Sequence, residues 1–222
     1  MKGTKALLII IGGIIVSVLI FFFLIRPVEQ LQPPVSSNEE NGFLQQGPDS
    51  VNVDLENRAI ELAFEVNEED INAAAQESIE DDQDIEELEI QVNEERVTVY
   101  ANSSLFPFIA TQYRLFFIPG IENGQLILAL EEAYMGRIPL PNQFVLNQIE
   151  MEEDYFYLDS DRERIILFPD LPENVTFSAV ELSQGEIKTE LVITIESLSD
   201  AIQLIEEILP QGVEEEILNR LF

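Results

Sequence analysis

Catalysis in this chain would have to rest on carboxylates, tyrosine or lysine, because its 222 residues include no histidine and no cysteine. The usual general base and the Ser-His and Cys-His arrangements are therefore absent. Disulfides, thiolate metal sites and a lipid-bearing cysteine are absent for the same reason. Carboxylate pairs are abundant, but among 43 Asp and Glu residues such pairs arise by chance, so a glycosidase-like dyad has no specific support. Asp159-Ser160-Asp161 has the opening of a calcium loop without the third acid and glycine at EF-hand spacing, and it reads as a solvated turn. No Gly-rich phosphate loop is present. The expectation is a non-enzyme with no cofactor and no metal site.

The chemistry that remains is binding. Phe106, Phe108, Tyr113, Phe116 and Phe117 concentrate in one stretch, Tyr134 and Met135 follow, and Gly136-Arg137-Ile138-Pro139-Leu140-Pro141 comes next. With Ile138 and Leu140 these residues are the candidate ligand-binding set. Aromatic residues at strand spacing ordinarily fill a core, and the sharper reading is a lining for a lipid or another apolar ligand. A nucleic-acid platform would need interleaved basic residues, and Arg114 is alone, so no nucleic-acid partner is expected. The two prolines bar their segment from a central ladder and make it an edge or a turn into the next helix. It is either a rigid connector or the lip of a binding cleft, with Gly136 supplying close approach or a bulge.

These residues must be positioned by a sheet. Ile60, Leu62, Phe64 and Val66 alternate with Glu61, Ala63 and Glu65, which predicts a first strand with one buried face. Asn67 is placed to cap a helix that carries Glu68, Glu69 and Asp70 in its first turn and runs to about Ile79. Further strands are expected at 87–92, 96–101, 109–118, 125–133, 163–168, 175–182 and 186–195. Short turn-prone connectors at Asn93-Glu94-Glu95, Glu122-Asn123-Gly124 and Ser183-Gln184-Gly185 predict antiparallel hairpins and a meandering sheet. Helices are expected at 142–151 and, broken near Pro210–Gly212, from Ser199 to the end. Leu115–Ile118, Leu126–Leu130 and Ile165–Phe168 are apolar on both faces, so both faces need covering, by helices, a curled sheet, a ligand or a partner.

Ala6–Ile25 is an uncharged run of 20 residues, 16 of them Leu, Ile, Val or Phe. As a helix it would span a hydrocarbon layer of roughly 30 Å. It is too long for a signal-peptide apolar region and ends in Phe-Leu-Ile-Arg-Pro rather than at a small-residue cleavage site. Lys2 and Lys5 precede it and Arg26 alone follows directly, which places the N-terminus in the cytoplasm. Three of the 11 basic residues and none of the 43 acids lie within 1–26, leaving a balance of -35 after Arg26. That balance repels nucleic acid and anionic head groups and suits a high-salt or divalent-cation environment. The expected division is a cytoplasmic start and transmembrane anchor over 1–26, a flexible proline-containing tether over 27–51 and an acidic extracytoplasmic α+β domain over 52–222.

The order of features, with Val66-Asn67-Glu68-Glu69-Asp70-Ile71-Asn72 at the helix entry and Gly136-Arg137-Ile138-Pro139-Leu140-Pro141 after paired strands, resembles the YpmS family of membrane-anchored envelope proteins of Gram-positive bacteria. In that family the helix entry reads Leu-Thr-x-x-x-Leu-Asn, so Val66 and Asn67 depart from it. The resemblance implies an extracytoplasmic protein with a curved antiparallel sheet packed on amphipathic helices, similar in outline to tubular lipid-binding modules, and it implies no catalytic residues. The expected function is non-catalytic binding of a lipid or lipid-linked intermediate in an apolar cleft. The alternative is a scaffold for an envelope enzyme.

Overall fold

The computed structural model describes residues 16–31, 47–54, 57–79, 85–106, 109–149 and 156–195. A helix, α1, covers the described residues 16–25. Then come β1 (Ser50–Asp54), β2 (Ala59–Asn67), helix α2 (Glu68–Ser78), β3 (Ile85–Val92), β4 (Val97–Phe106), β5 (Ile109–Glu122) and β6 (Gln125–Met135). After these come β7 (Ile138–Leu140), helix α3 (Asn142–Leu146), β8 (Phe156–Asp159), β9 (Arg164–Leu167), β10 (Val175–Ser183) and β11 (Glu186–Thr194). The architecture is mostly antiparallel sheet with a few helices, an α+β arrangement. Among the described residues no helix is long and apolar enough to cross a membrane, and positions 6–15 of the expected span lie outside them. The expected C-terminal helices also lie outside the described residues.

The strands form two sheets rather than one meander. The larger has the order β3-β4-β5-β6-β9-β8, with β7 on the same edge of β6 as β9. The smaller has the order β1-β2-β11-β10. Local turns predict only neighbours in sequence, whereas β2 and β11 pair from Ala59↔Thr194 to Asn67↔Glu186 across most of the domain. The expected first strand is in fact the second, because Ser50–Asp54 pairs antiparallel with 59–63. Val28 and Glu29, read from sequence as part of a flexible tether over 27–51, are hydrogen-bonded to Gln112 of β5.

The hairpins follow their turn chemistry. Asn123 and Gly124 both have positive φ, 53° and 77°, as the two-residue turn between Glu122 and Gln125 requires. Alternation then fixes faces. Ile60 and Leu62 of β2 are fully buried while Glu61 and Glu65 face water. The inner faces of the two sheets enclose two clusters. One is built on Ile60, Leu62, Leu126, Val175, Phe177, Leu191 and Ile193. The other is built on Val92, Val97, Phe117, Leu130, Ala133, Val145, Leu146 and Ile165.

Helix α2 starts as the sequence indicates. Asn67 Oδ1 accepts the Asp70 amide at 2.8 Å and Asn67 Nδ2 donates to Asp70 Oδ2 at 2.7 Å. Its polar side chains then close the free edge of β3. Glu68 Oε2 accepts the Val92 amide at 2.7 Å, Asn72 takes both backbone groups of Ile90 at 2.6 and 2.7 Å, and Gln76 Nε2 donates to the Leu88 carbonyl. Four helical residues rise about 6 Å and two strand residues about 6.7 Å, so the spacings 68-72-76 and 92-90-88 stay in register. A row of side chains substitutes for a missing strand, the protection an exposed edge needs.

Candidate functional site

The candidate site lies where α1 meets the end of the larger sheet. Every side chain of α1 up to Leu24 is exposed or half-exposed, with Phe23 59% exposed, while Ile25 is fully buried. A helix ends with unpaired carbonyls, and here the last three are taken by the sheet. Arg137 Nη1 donates to Phe23 O at 3.0 Å, the Arg137 amide to Leu24 O at 2.7 Å and Thr111 Oγ1 to Ile25 O at 2.7 Å. The Arg137 guanidinium also stands 4.8 Å from the Phe23 ring centre, so a cation meets the negative end of the helix dipole and an aromatic face together.

The chain beyond the helix is held by Gln112, which is fully buried in β5. Its Oε1 accepts the Val28 and Glu29 amides at 3.2 and 3.1 Å, and its Nε2 donates to Glu29 O at 3.1 Å and Asn102 Oδ1 at 3.0 Å. Gly136 makes the approach sterically feasible. It is the first central residue of the two-residue turn joining Met135 to Ile138, with φ of 59°. A Cβ there would strike Leu24 O and come within 2.6 Å of Ile25 C and 2.7 Å of Ile25 Cα. Close approach and turn geometry thus both demand glycine.

The candidate residues divide between the two faces of the sheet. Phe116 and Tyr134 lie on the outer face as an edge-to-face pair with centroids 5.9 Å apart. Arg96 stands 4.3 Å over Phe116 and Arg114 stands 5.1 Å over Tyr134. Arg114 Nη2 donates to Gly136 O at 3.1 Å, and its buried Nε has no hydrogen-bond partner among the described residues. The Tyr134 hydroxyl donates to Glu132 at 3.0 Å, which raises its pKa, and burial followed by the charge of Glu29 raises that of Tyr100. Arg96 and Arg114 thus make this face a packed aromatic and guanidinium surface.

On the inner face Phe117 belongs to the buried core, and Leu140 packs against it. Tyr113, Met135 and Ile138 do not. They are paired neighbours across β5, β6 and β7, and the row continues through Ala101 of β4 to Leu88 of β3. All five are half-buried, and none belongs to or packs against either core cluster. The next row along the strands, Ile90, Val99, Leu115, Ala133 and Leu140, is part of the core or packed on it. Among the described residues this half-buried row therefore lies between the core and the turn that grips α1. Phe106 ends β4 opposite Ile109, and Phe108 lies outside the described residues.

Sequence reasoning singled out Arg137 only within its motif and missed Leu88, Ala101, Asn102, Thr111 and Gln112. A buried Gln in a strand carries no periodic signal, since Val28 and Glu29, which it holds, lie more than 80 positions away. Among the described residues no group of three His, Cys, Asp or Glu could hold a metal ion. Asp159 instead caps a 3-10 turn at Ser160–Arg162 and pairs with Arg164 at 3.0 Å. Comparison with family models, with curated proteins and with solved structures returns no match at any of the three levels.

Proposed function

We propose that this chain is a single-pass, non-catalytic protein of the cell envelope that receives the apolar part of a lipid or lipid-linked intermediate on its inner sheet face, close to the outer membrane leaflet. In this reading residues 6–25 span the bilayer, the N-terminus is cytoplasmic and the acidic domain is external, as in the YpmS family that the Gly136–Pro141 and Val66–Asn72 segments resemble. The exposed apolar side chains of α1 support the membrane part, since a contiguous apolar surface of that kind ordinarily meets lipid or a partner. The observation that carries the binding part is the half-buried row Tyr113, Met135 and Ile138, which begins beside the turn holding the helix end. A chain rising from the leaflet along α1 meets this row before the core. The likeness in outline to tubular lipid-binding modules belongs to the same reading.

The test is photocrosslinking of the full-length protein in nanodiscs containing a phospholipid with a diazirine in its acyl chain, followed by peptide mapping. Adducts on Tyr113, Met135 or Ile138 are expected, and Met135→Glu should abolish them. Adducts confined to residues 6–25 would sink the proposal. The second reading, a scaffold for an envelope enzyme, is favoured by the outer face far from α1, where Ile118 is 42% and Tyr157 56% exposed beside Ile127 and Ile166. Crosslinking of that face to a neighbouring protein, with none to lipid, would select it.

A further inference from the structure

We infer that the junction holds the phosphate of an outer-leaflet phospholipid, with Arg26 and Arg137 as the contacting cations and Arg114 behind them. This deepens the lipid reading and rests on it. The inference starts from where positive charge is left unpaired. Of the eight basic residues described, Arg96, Arg162, Arg164 and Lys188 each have a carboxylate within 4.0 Å. Arg26, Arg58, Arg114 and Arg137 have none among the described residues, although the chain carries 43 acids. Arg58 lies in the turn between β1 and β2. The other three belong to the junction of α1 with the Gly136 turn. Arg26 follows Ile25, Arg137 binds Phe23 and Leu24, and Arg114 binds the carbonyl of Gly136.

The guanidinium of Arg137 is exposed and makes one hydrogen bond to the helix, so among the described residues most of its donor fork is left for phosphate oxygens. If α1 ends a membrane span, this cluster stands at head-group depth. The charge of -35 does not forbid an anion there. Glu29, held on Gln112, is a carboxylate at the junction and opposes an anion, but carboxylates beyond a Debye length of about 8 Å are largely screened at physiological salt, while cations in contact are not. The apolar row through Tyr113, Met135 and Ile138 adjoins the same turn, so cations at the mouth and apolar side chains inward match the two ends of one amphiphile.

The experiment compares two acyl-chain diazirine probes in nanodiscs bearing the full-length protein, phosphatidylglycerol and diacylglycerol, which differ in the phosphate head group. Wild type should label the row preferentially with phosphatidylglycerol. Arg26→Gln, at an exposed position whose side chain makes no hydrogen bond or ion pair among the described residues, should lower that preference about fivefold, the worth of roughly one basic residue near an anionic surface. Arg137→Gln should do the same, and Arg137→Lys should keep most of the preference, which separates charge from helix capping. Equal labelling of wild type by both probes, or a preference unchanged by Arg26→Gln and Arg137→Gln together, would overturn the phosphate site while leaving lipid binding intact. No labelling of the row by either probe would remove the lipid reading itself.

Discussion

Two helices dock on the larger sheet by opposite means. Helix α2 offers side chains to a strand's backbone, with Glu68, Asn72 and Gln76 satisfying Val92, Ile90 and Leu88. Helix α1 offers its backbone to the sheet, with the Thr111 and Arg137 side chains taking the carbonyls of Ile25 and Phe23 and the Arg137 amide that of Leu24. Each contact covers a terminus of hydrogen bonding, a sheet edge in one case and a helix end in the other. The side chains differ accordingly. An edge presents both donors and acceptors and takes Asn, Gln and Glu, whereas a helix C-terminus presents only acceptors and takes Thr and Arg. The α1 contact is also the more demanding, because backbone meets backbone at Gly136 and no side chain can yield.

Breaking the α1 contact should therefore have the largest effect. Gly136→Val adds a disfavoured positive φ and an overlap with Leu24 and Ile25, together about 4 kcal/mol. The amides of Arg137, Val28 and Glu29 should lose their hydrogen-exchange protection while those of Ile90 and Val92 keep theirs. Retained protection at all five would show that the junction is not sterically tight. Asn72→Ala tests the other side. It strips both backbone groups of Ile90 of their partner, which costs about 2 kcal/mol. Exchange of the Ile90 amide should accelerate about thirtyfold, with the α1 amides unaffected.

Salt should sharpen the contrast. Raising ionic strength relieves carboxylate repulsion in the acidic domain, so its thermal midpoint should rise between low and high salt. Protection of the Arg137, Val28 and Glu29 amides relative to the whole domain should change little, because those amides donate to a backbone carbonyl and to the neutral Gln112 side chain. A midpoint indifferent to salt would remove the high-salt interpretation of the composition. The smallest effect is expected in alkali. Lys188 has its pKa raised above 10.5 by its hydrogen bond to Glu65, Tyr134 above 10.0 by Glu132 and Tyr100 above 10.0 by burial. In each case the folded state holds its proton more tightly than the unfolded chain. Stability from these groups is full below pH 10.0 and declines as pH rises through the tyrosine and then the lysine range. A urea midpoint constant from pH 7 to 9 and falling above 10 would agree, and one that rises above 10 would contradict the assignment.

The sequence by itself determined the local elements. Period-two alternation placed β2, the Asn-Gly pair placed the β5–β6 turn, and Asn67 with its acidic followers placed the start of α2, because each depends on neighbours within a few residues. Tertiary structure alone decided the rest. It paired β2 with β11, divided Phe116 and Tyr134 from Tyr113, Met135 and Ile138 by sheet face, and set Gln112 and Arg137 on a helix end more than 80 positions away. Those relations join residues that local spacing leaves independent, and they exist only once burial of the two core clusters has fixed which strand ends lie together.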